Sequence, residues 1–138
     1  EAKTMAFQQP TIPLTQGDTL PPVRLFVYDA AHPAPGKVIN PNDPSTWRRV
    51  DLHRIDHAVL LFKHTASFAD PVEIPCSVIN SGLGEVSVDW RDGDLAIEGN
   101  FVGKVRLYYK ELDEALSIMR TLKWTSKVEI PFVIEPLF

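Results

Sequence analysis

The sequence predicts an all-β domain built from short antiparallel strands packed as a sandwich or barrel. Apolar residues alternate with polar residues in several runs, and turn residues separate these runs about every dozen positions. The alternation is clearest in GEVSVDW and in GNFVGKVRLYY, where it continues over both runs. Parallel folds need helical patterns between strands, so the short regular spacing favours an antiparallel architecture.

The predicted strands follow one another along the chain, and each carries an apolar face. VRLFVYDA (residues 23–30), HAVLLFKH (57–64), PVEIPCSVI (71–79) and GEVSVDW (84–90) precede GNFVGKVRLYY, and KVEIPFVIEP ends the series. Pro131 predicts an edge position for the last strand, because proline cannot donate to a ladder. The side chains that we expect to point inward are Leu25, Val27, Leu60, Phe62, Val86, Val88, Trp90, Phe101, Val105, Leu107, Ile130 and Phe132.

Residues 113–124 (DEALSIMRTLKW) fit two patterns. Ala115, Ile118, Met119 and Leu122 match helical spacing, whereas alternation around Arg120 matches a strand. We favour the strand, because a turn within KELDE would return the chain antiparallel to VGKVRLYY. The helix remains the alternative.

Length and composition indicate one globular domain. The chain has 138 residues, of which 44% are hydrophobic and 23% charged, and no apolar run approaches the length of a membrane span. The net charge of -4 disfavours nucleic acid as a partner, since binding to phosphates needs clustered cations. The single cysteine, Cys76, excludes an internal disulfide and fits a protein made in a cytoplasm.

Proline and glycine divide the chain into an arm, a domain and an insertion. We expect residues 1–22 to hold a cloning remnant, EAKT, and then an extended proline-punctuated arm without targeting character. Residues 23–138 would form the β-sandwich, with a proline-rich insertion at 31–50. Structureless segments of that length are usually functional or flexible.

The candidate metal motifs are incomplete. His53 and His57 stand four apart, near His64, but Arg54 occupies the position of the glutamate that a zinc-protease motif requires. Asp92 and its acidic neighbours loosely match a calcium loop, without its final glutamate or flanking helices. We therefore expect no metal site.

The candidate nucleophiles also lack the neighbouring sequence features that would activate them. Ser81 lacks the first glycine of a nucleophile elbow, and Cys76 lies in a strand pattern without an activating helix terminus. No glycine-rich phosphate loop is present. We therefore expect no catalytic residues, no cofactor and no enzymatic activity.

The order of the strands resembles the N-terminal immunoglobulin-like domain of phage baseplate upper proteins. Val50, Asp51 and Leu52 match the segment before that family's third strand, and GEVSVDW matches its next strand. GNFVGKVRLYY matches its closing strand, with Phe101 in place of the usual tyrosine. The resemblance implies an immunoglobulin-like antiparallel β-sandwich of seven to eight strands. Family members continue into a fibre-holding domain that has no counterpart here, so a small baseplate, tail or neck adaptor is the expected role.

The resemblance also implies a structural component of a tailed-phage virion, assembled in the host cytoplasm. Its partners would be other virion proteins and copies of itself, without nucleic acid or membrane. The arm and the insertion carry apolar residues and arginines suited to such contacts, although they could equally pack on their own domain. The candidate interface residues are Phe7, Ile12, Leu14, Val38, Ile39, Trp47, Arg48 and Arg49.

An adhesin or carbohydrate-binding module is the alternative function. Exposed coplanar aromatic rings could stack on a host-surface glycan, and the candidates are Trp47, Trp90, Trp124, Tyr28 and Tyr108. Trp90 continues the face of Val86 and Val88, which favours a core position. Trp47 lies beside two arginines in the insertion, where interface contact and local packing are equally expected.

Overall fold

The computed structural model describes residues 10–138, and within them the chain is all-β. The ten strands are β1 (Ile12–Thr15), β2 (Val23–Phe26), β3 (Tyr28–Pro33), β4 (Trp47–Arg49), β5 (His57–His64), β6 (Val72–Asn80), β7 (Glu85–Val88), β8 (Gly99–Asp113), β9 (Ile118–Thr125) and β10 (Ile130–Glu135). A 3-10 turn lies at Pro44–Thr46. In this part of the chain no helix has the length and apolar character needed to span a membrane.

Eight strands form one curled sheet, and β3 pairs with β4 in a second, small sheet. The order in the large sheet is β1-β10-β8-β5-β6-β7-β2, with β1 parallel to β10 and the other neighbours antiparallel. The long strand β8 pairs with β5 along one edge. Its other edge pairs first with β10 and then with β9, so β8 continues past the body of the sheet.

The core occupies the concave side of the curled sheet. All twelve residues expected to point inward are buried, which confirms that part of the sequence prediction. The Phe62 ring lies between three other rings, at centroid distances of 4.6 Å to Phe101, 5.2 Å to Trp90 and 5.3 Å to Phe132. These contacts join β5, β8 and β10 to the segment that follows β7. Alternation predicted this core because the inward face of each of these strands is buried, while most residues of the other face are at least partly exposed.

Residues 118–125 are a strand, which confirms the favoured reading of the ambiguous segment. The reversal lies at residues 114–117, beyond the expected KELDE turn, because β8 extends to Asp113. The edge position expected for the last strand was wrong, since β10 lies between β8 and β1. Pro131 is tolerated there because the ladder to β1 begins at Ile12, next to the position where the missing N–H would have donated.

Residues 12–15 of the expected extended arm form β1, which pairs with β10 of the same domain. Leu14 is buried in the core, and Ile12 packs against it. The strand is only four residues long and carries Pro13, so its alternation was too short to recognise. Phe7 lies outside the described residues.

The insertion at 31–50 has structure of its own, contrary to the expected loop. The run at 23–30 splits after Phe26, and its second half continues as β3 into the insertion, where β4 closes the small sheet. Two backbone hydrogen bonds join the sheets. Val27 N–H donates to the Gly84 carbonyl at 2.8 Å, and Val50 N–H donates to the Val27 carbonyl at 2.9 Å.

Candidate protein–protein interface

Most of the interface residues expected from the sequence pack within their own domain. Trp47 is 6% exposed, its indole N–H donates to the Asn40 carbonyl at 2.9 Å, and its ring meets Tyr28 edge-on. Of the two open readings for Trp47, the structure supports local packing. Ile39 is half-buried, whereas Val38 is 88% exposed.

The two arginines of the insertion also have partners on the same domain. Arg48 Nη2 donates to Asp29 Oδ2 at 2.8 Å, and the Arg49 guanidinium lies 4.0 Å from the Phe26 ring centroid. Burial of Asp29 acts to raise its pKa, but hydrogen bonds from His32, the Ala31 N–H and Arg48 outweigh it, so the pKa is lowered. Arg48 therefore links the two strands of the small sheet, whereas Arg49 links β4 to β2 of the large sheet.

The histidines and aspartates of the incomplete metal motifs do not converge. His53 pairs with Asp51, and His57 pairs with Asp56. Asp94 accepts from Arg91, while Asp89 accepts from Ser77 on the neighbouring strand. Within residues 10–138 no three histidine, cysteine or carboxylate side chains form a metal-binding group.

Cys76 lies in β6, where burial and, second, the charge of Asp89 raise the pKa of its thiol to about 12. A thiol with that pKa holds almost no thiolate near neutral pH, and thiolate is the reactive form. Cys76 is therefore an unreactive, partly buried residue that packs against the core.

The tryptophans do not provide an exposed stacking platform. Trp47 is buried in β4 of the small sheet, Trp90 is buried in the core, and Trp124 packs against that core. Trp90 meets Phe62 and Phe132 edge-on. Tyr108 is buried too, stacked against His57 with 4.4 Å between the ring centroids.

Two open grooves lie at one end of the large sheet. One, of about 580 Å³, runs beside β10 and carries Lys63 and Glu129 as its charged residues. The other, of about 480 Å³, lies between the β5–β6 loop and residues 92–97 and contains His64. In neither groove does a histidine side chain hydrogen-bond to a serine hydroxyl. The described residues of the grooves therefore hold no His–Ser pair that could serve as base and nucleophile.

The strongest surface feature is the end of the β8–β9 hairpin, residues 109–122, which we call the ribbon. Its strands pair from Tyr109 with Leu122 to Asp113 with Ile118, and the residues around the turn are exposed. Leu112 pairs with Met119 on one face, while Leu122 and Ile118 lie on the other. The exposed apolar side chains are Leu112 (54%), Leu116 (66%), Ile118 (50%), Met119 (60%) and Leu122 (40%). Apolar residues on both faces are typical of an interaction site.

Strands β1 and β2 have edges that resist further pairing. The Gln16 N–H donates to the Glu135 carbonyl of β10. Alternate residues of a strand point their backbone groups to opposite edges, so the backbone groups of Ile12 and Leu14 also point toward β10, and those of Pro13 point outward. Proline has no N–H to offer there. The outward-pointing residues of β2 are only Arg24 and Phe26, because Val27 bonds toward β7.

The outer edge of β9 is open. The Ser126 N–H donates to the Val105 carbonyl of β8 at 2.9 Å. Every second residue before Ser126 therefore also points its backbone groups toward β8, namely Ile118, Arg120, Leu122 and Trp124. The alternate residues are Met119, Thr121, Lys123 and Thr125, and their backbone N–H and C=O groups point outward. Among the described residues β9 pairs with β8 alone. Four outward positions without proline make β9 suited to accept another strand.

The sequence analysis missed the ribbon as an interface. The sequence feature that indicated it is that residues 113–124 fit both helical and strand spacing. Apolar residues on both faces of a strand obscure its alternation. Neither known protein families, nor curated proteins, nor solved structures give a match to this chain.

Proposed function

We propose that this chain is a non-catalytic assembly module, a structural component of a tailed-phage virion in the baseplate, tail or neck. Two independent observations support the proposal. The strand motifs resemble those of phage baseplate upper proteins, and the ribbon presents apolar side chains that its own domain does not cover. Its partners are other virion proteins and further copies of itself.

The ribbon is the observation that carries this function. Five exposed apolar side chains at the end of one hairpin are costly to leave in water, and burying each against a partner is worth about 1–2 kcal/mol. The open edge of β9 adds backbone hydrogen bonds to that contact. Strand addition combines these two contributions, with the ladder supplying affinity and the side chains supplying specificity.

We further propose that the curled sheet is a variant of the immunoglobulin-like sandwich. The antiparallel order β2-β7-β6-β5-β8-β10 and the core enclosed by its curl support this relation. The small β3–β4 sheet is an addition to the seven-to-eight-strand pattern that the resemblance implies.

A glycan-binding role has less support from the geometry. It requires exposed, coplanar rings, and the three tryptophans are buried or packed against the core. A glycan array therefore serves as the opposing test. Saturable binding to one glycan class, unaffected by changes in the ribbon, would favour the adhesin reading.

Quantitative mass spectrometry of particles tests the virion role. We expect tailed particles from a culture expressing this gene to contain the chain at a fixed ratio to the major tail protein. The double variant Leu112→Thr/Met119→Thr replaces the apolar side chains on one face of the ribbon with threonine, which forms strands well. It should lower the incorporation of the chain into particles. Val78→Thr is the matched control, since Val78 is an exposed strand residue of β6, outside the ribbon. Absence of the chain from purified particles would refute the proposal.

A further inference from the structure

The open edge of β9 is complementary to itself. We propose that two copies of this chain pair antiparallel through β9, so that the two large sheets become continuous across a two-fold axis. This inference rests on the proposed assembly function and names the partner at the ribbon: a second copy. An isologous contact of this kind uses one surface twice and closes at a dimer.

The backbone pattern restricts the possible registers. Only outward-pointing residues can bond across the axis, so Met119, Thr121, Lys123 and Thr125 must face one another in pairs. Three symmetric registers bring at least three of these four residues into facing pairs, with Thr121, Leu122 or Lys123 on the axis.

Charge and backbone conformation select one of the three. Centring on Lys123 places two ammonium groups directly opposite, which is destabilising. Centring on Thr121 would pair Thr125 with Ser117, whose φ of 52° belongs to the turn and is not extended. Centring on Leu122 pairs Met119 with Thr125 and Thr121 with Lys123, so that every outward residue is used.

The side chains fit this register as well. Leu122, which is 40% exposed, meets its own copy on the axis. Arg120 comes to lie opposite Trp124 of the other copy, and a guanidinium beside an indole ring is a favourable pair. Arg120 lies 3.9 Å from Asp113 in its own ribbon, at the outer limit of an ion pair, so this contact does not hold it strongly. No like charges face each other.

Sedimentation over a concentration series tests the pairing. The full chain should pass from monomer to dimer as its concentration rises. Thr121→Pro removes an N–H that points away from β8, so it leaves the hairpin ladder in place and deletes two symmetric hydrogen bonds from the dimer. We expect the dimer to weaken by at least about 10-fold. Thr121→Val keeps the N–H and the branched shape, and should dimerise as the wild type does.

Disulfide trapping tests the register independently. Paired residues on the axis have Cα atoms about 4.5 Å apart, which a disulfide can bridge. Under mild oxidation Leu122→Cys should therefore form a covalent dimer. Ile118→Cys should remain monomeric in gels, because Ile118 lies four residues from the axis although it is more exposed than Leu122, at 50% against 40%. Circular dichroism of each variant establishes that it is folded.

A wild-type chain that stays monomeric, with no cross-linking of Leu122→Cys, would overturn the second copy as partner. A dimer unaffected by Thr121→Pro in a folded variant would overturn β9 as its site. Cross-linking through Ile118→Cys would overturn the register. Incorporation into particles is measured separately, so a chain that is monomeric in solution yet present in particles would leave the assembly function standing and remove this inference alone.

Discussion

Gly84 occupies the point where the two sheets meet, and replacing it with alanine should unfold the junction. Its φ is +68°, and a Cβ atom there would lie 2.6 Å from the Val50 carbonyl oxygen. That oxygen belongs to backbone, so it cannot turn aside as a flexible side chain would. Displacing Val50 also strains the hydrogen bonds that link Gly84, Val27 and Val50.

The expected loss is the sum of three effects. The left-handed conformation costs an alanine about 1–2 kcal/mol, overpacking about 1–3 kcal/mol, and two weakened hydrogen bonds about 1 kcal/mol each. We expect Gly84→Ala to lower the free energy of unfolding by about 4–7 kcal/mol, which is a large part of the stability of a domain this size.

Gly36→Ala is the matched control. Gly36 has a φ of +73° and nothing within 4 Å of an added Cβ, so only the conformational cost remains, about 1–2 kcal/mol. Urea unfolding followed by circular dichroism measures both variants. Equal losses in the two would refute the argument, because they would show that the approach of Val50 to Gly84 contributes nothing.

Three further predictions concern the core, the thiol and the small sheet. Trp90→Ala should cost about 3–5 kcal/mol and Trp90→Phe about 1–2 kcal/mol, because the Trp90 Nε1 has no hydrogen-bond partner to lose; similar costs in urea unfolding would contradict the ring-packing argument. Cys76, with a pKa of about 12, should resist a thiol reagent at pH 8 until urea unfolds the chain; rapid stoichiometric labelling of folded protein would contradict this. Asp29 has a lowered pKa, so its contribution is complete above the ordinary carboxyl value of 3.8 and is lost as pH falls through the folded-state pKa. The stability gap between wild type and Asp29→Asn should therefore shrink in acid, and a gap that is constant with pH would contradict the assignment.

Alternation in the sequence was sufficient to predict the central strands and the core. Val86 and Val88, or Val105 and Leu107, bury every second side chain over a run long enough to show the period. Leu14 and Leu95 are equally buried but were not predicted. Leu14 lies in a four-residue strand between prolines, and Leu95 lies in a turn segment, so neither belongs to a period that can be read.

The candidate interface was harder to predict, because it depends on strand register. Pro131 was expected at an edge, yet β10 is covered by β1, which begins just past the position to which the missing N–H of Pro131 would have donated. Whether the Thr121 N–H points toward β8 or away from it depends on the register in which β8 and β9 pair. Sequence patterns indicate which face of a strand is buried, but they do not indicate which of its two edges is paired.

The outer edges of β1, β2 and β9 in the large sheet differ in how well they could accept another strand. Pro13 lies at an outward position of β1, and β2 exposes only two outward residues, so both edges are poor templates for another chain. β9 has eight residues and no proline, and the turn beside it is apolar. Natural proteins usually blunt an edge of that length, because an open edge invites aggregation. Among the outward-pointing residues of β9 the only such device is Lys123, and it lies off the axis in the register centred on Leu122. It therefore blocks the pairing that would bring two ammonium groups together while permitting the one that uses all four outward residues.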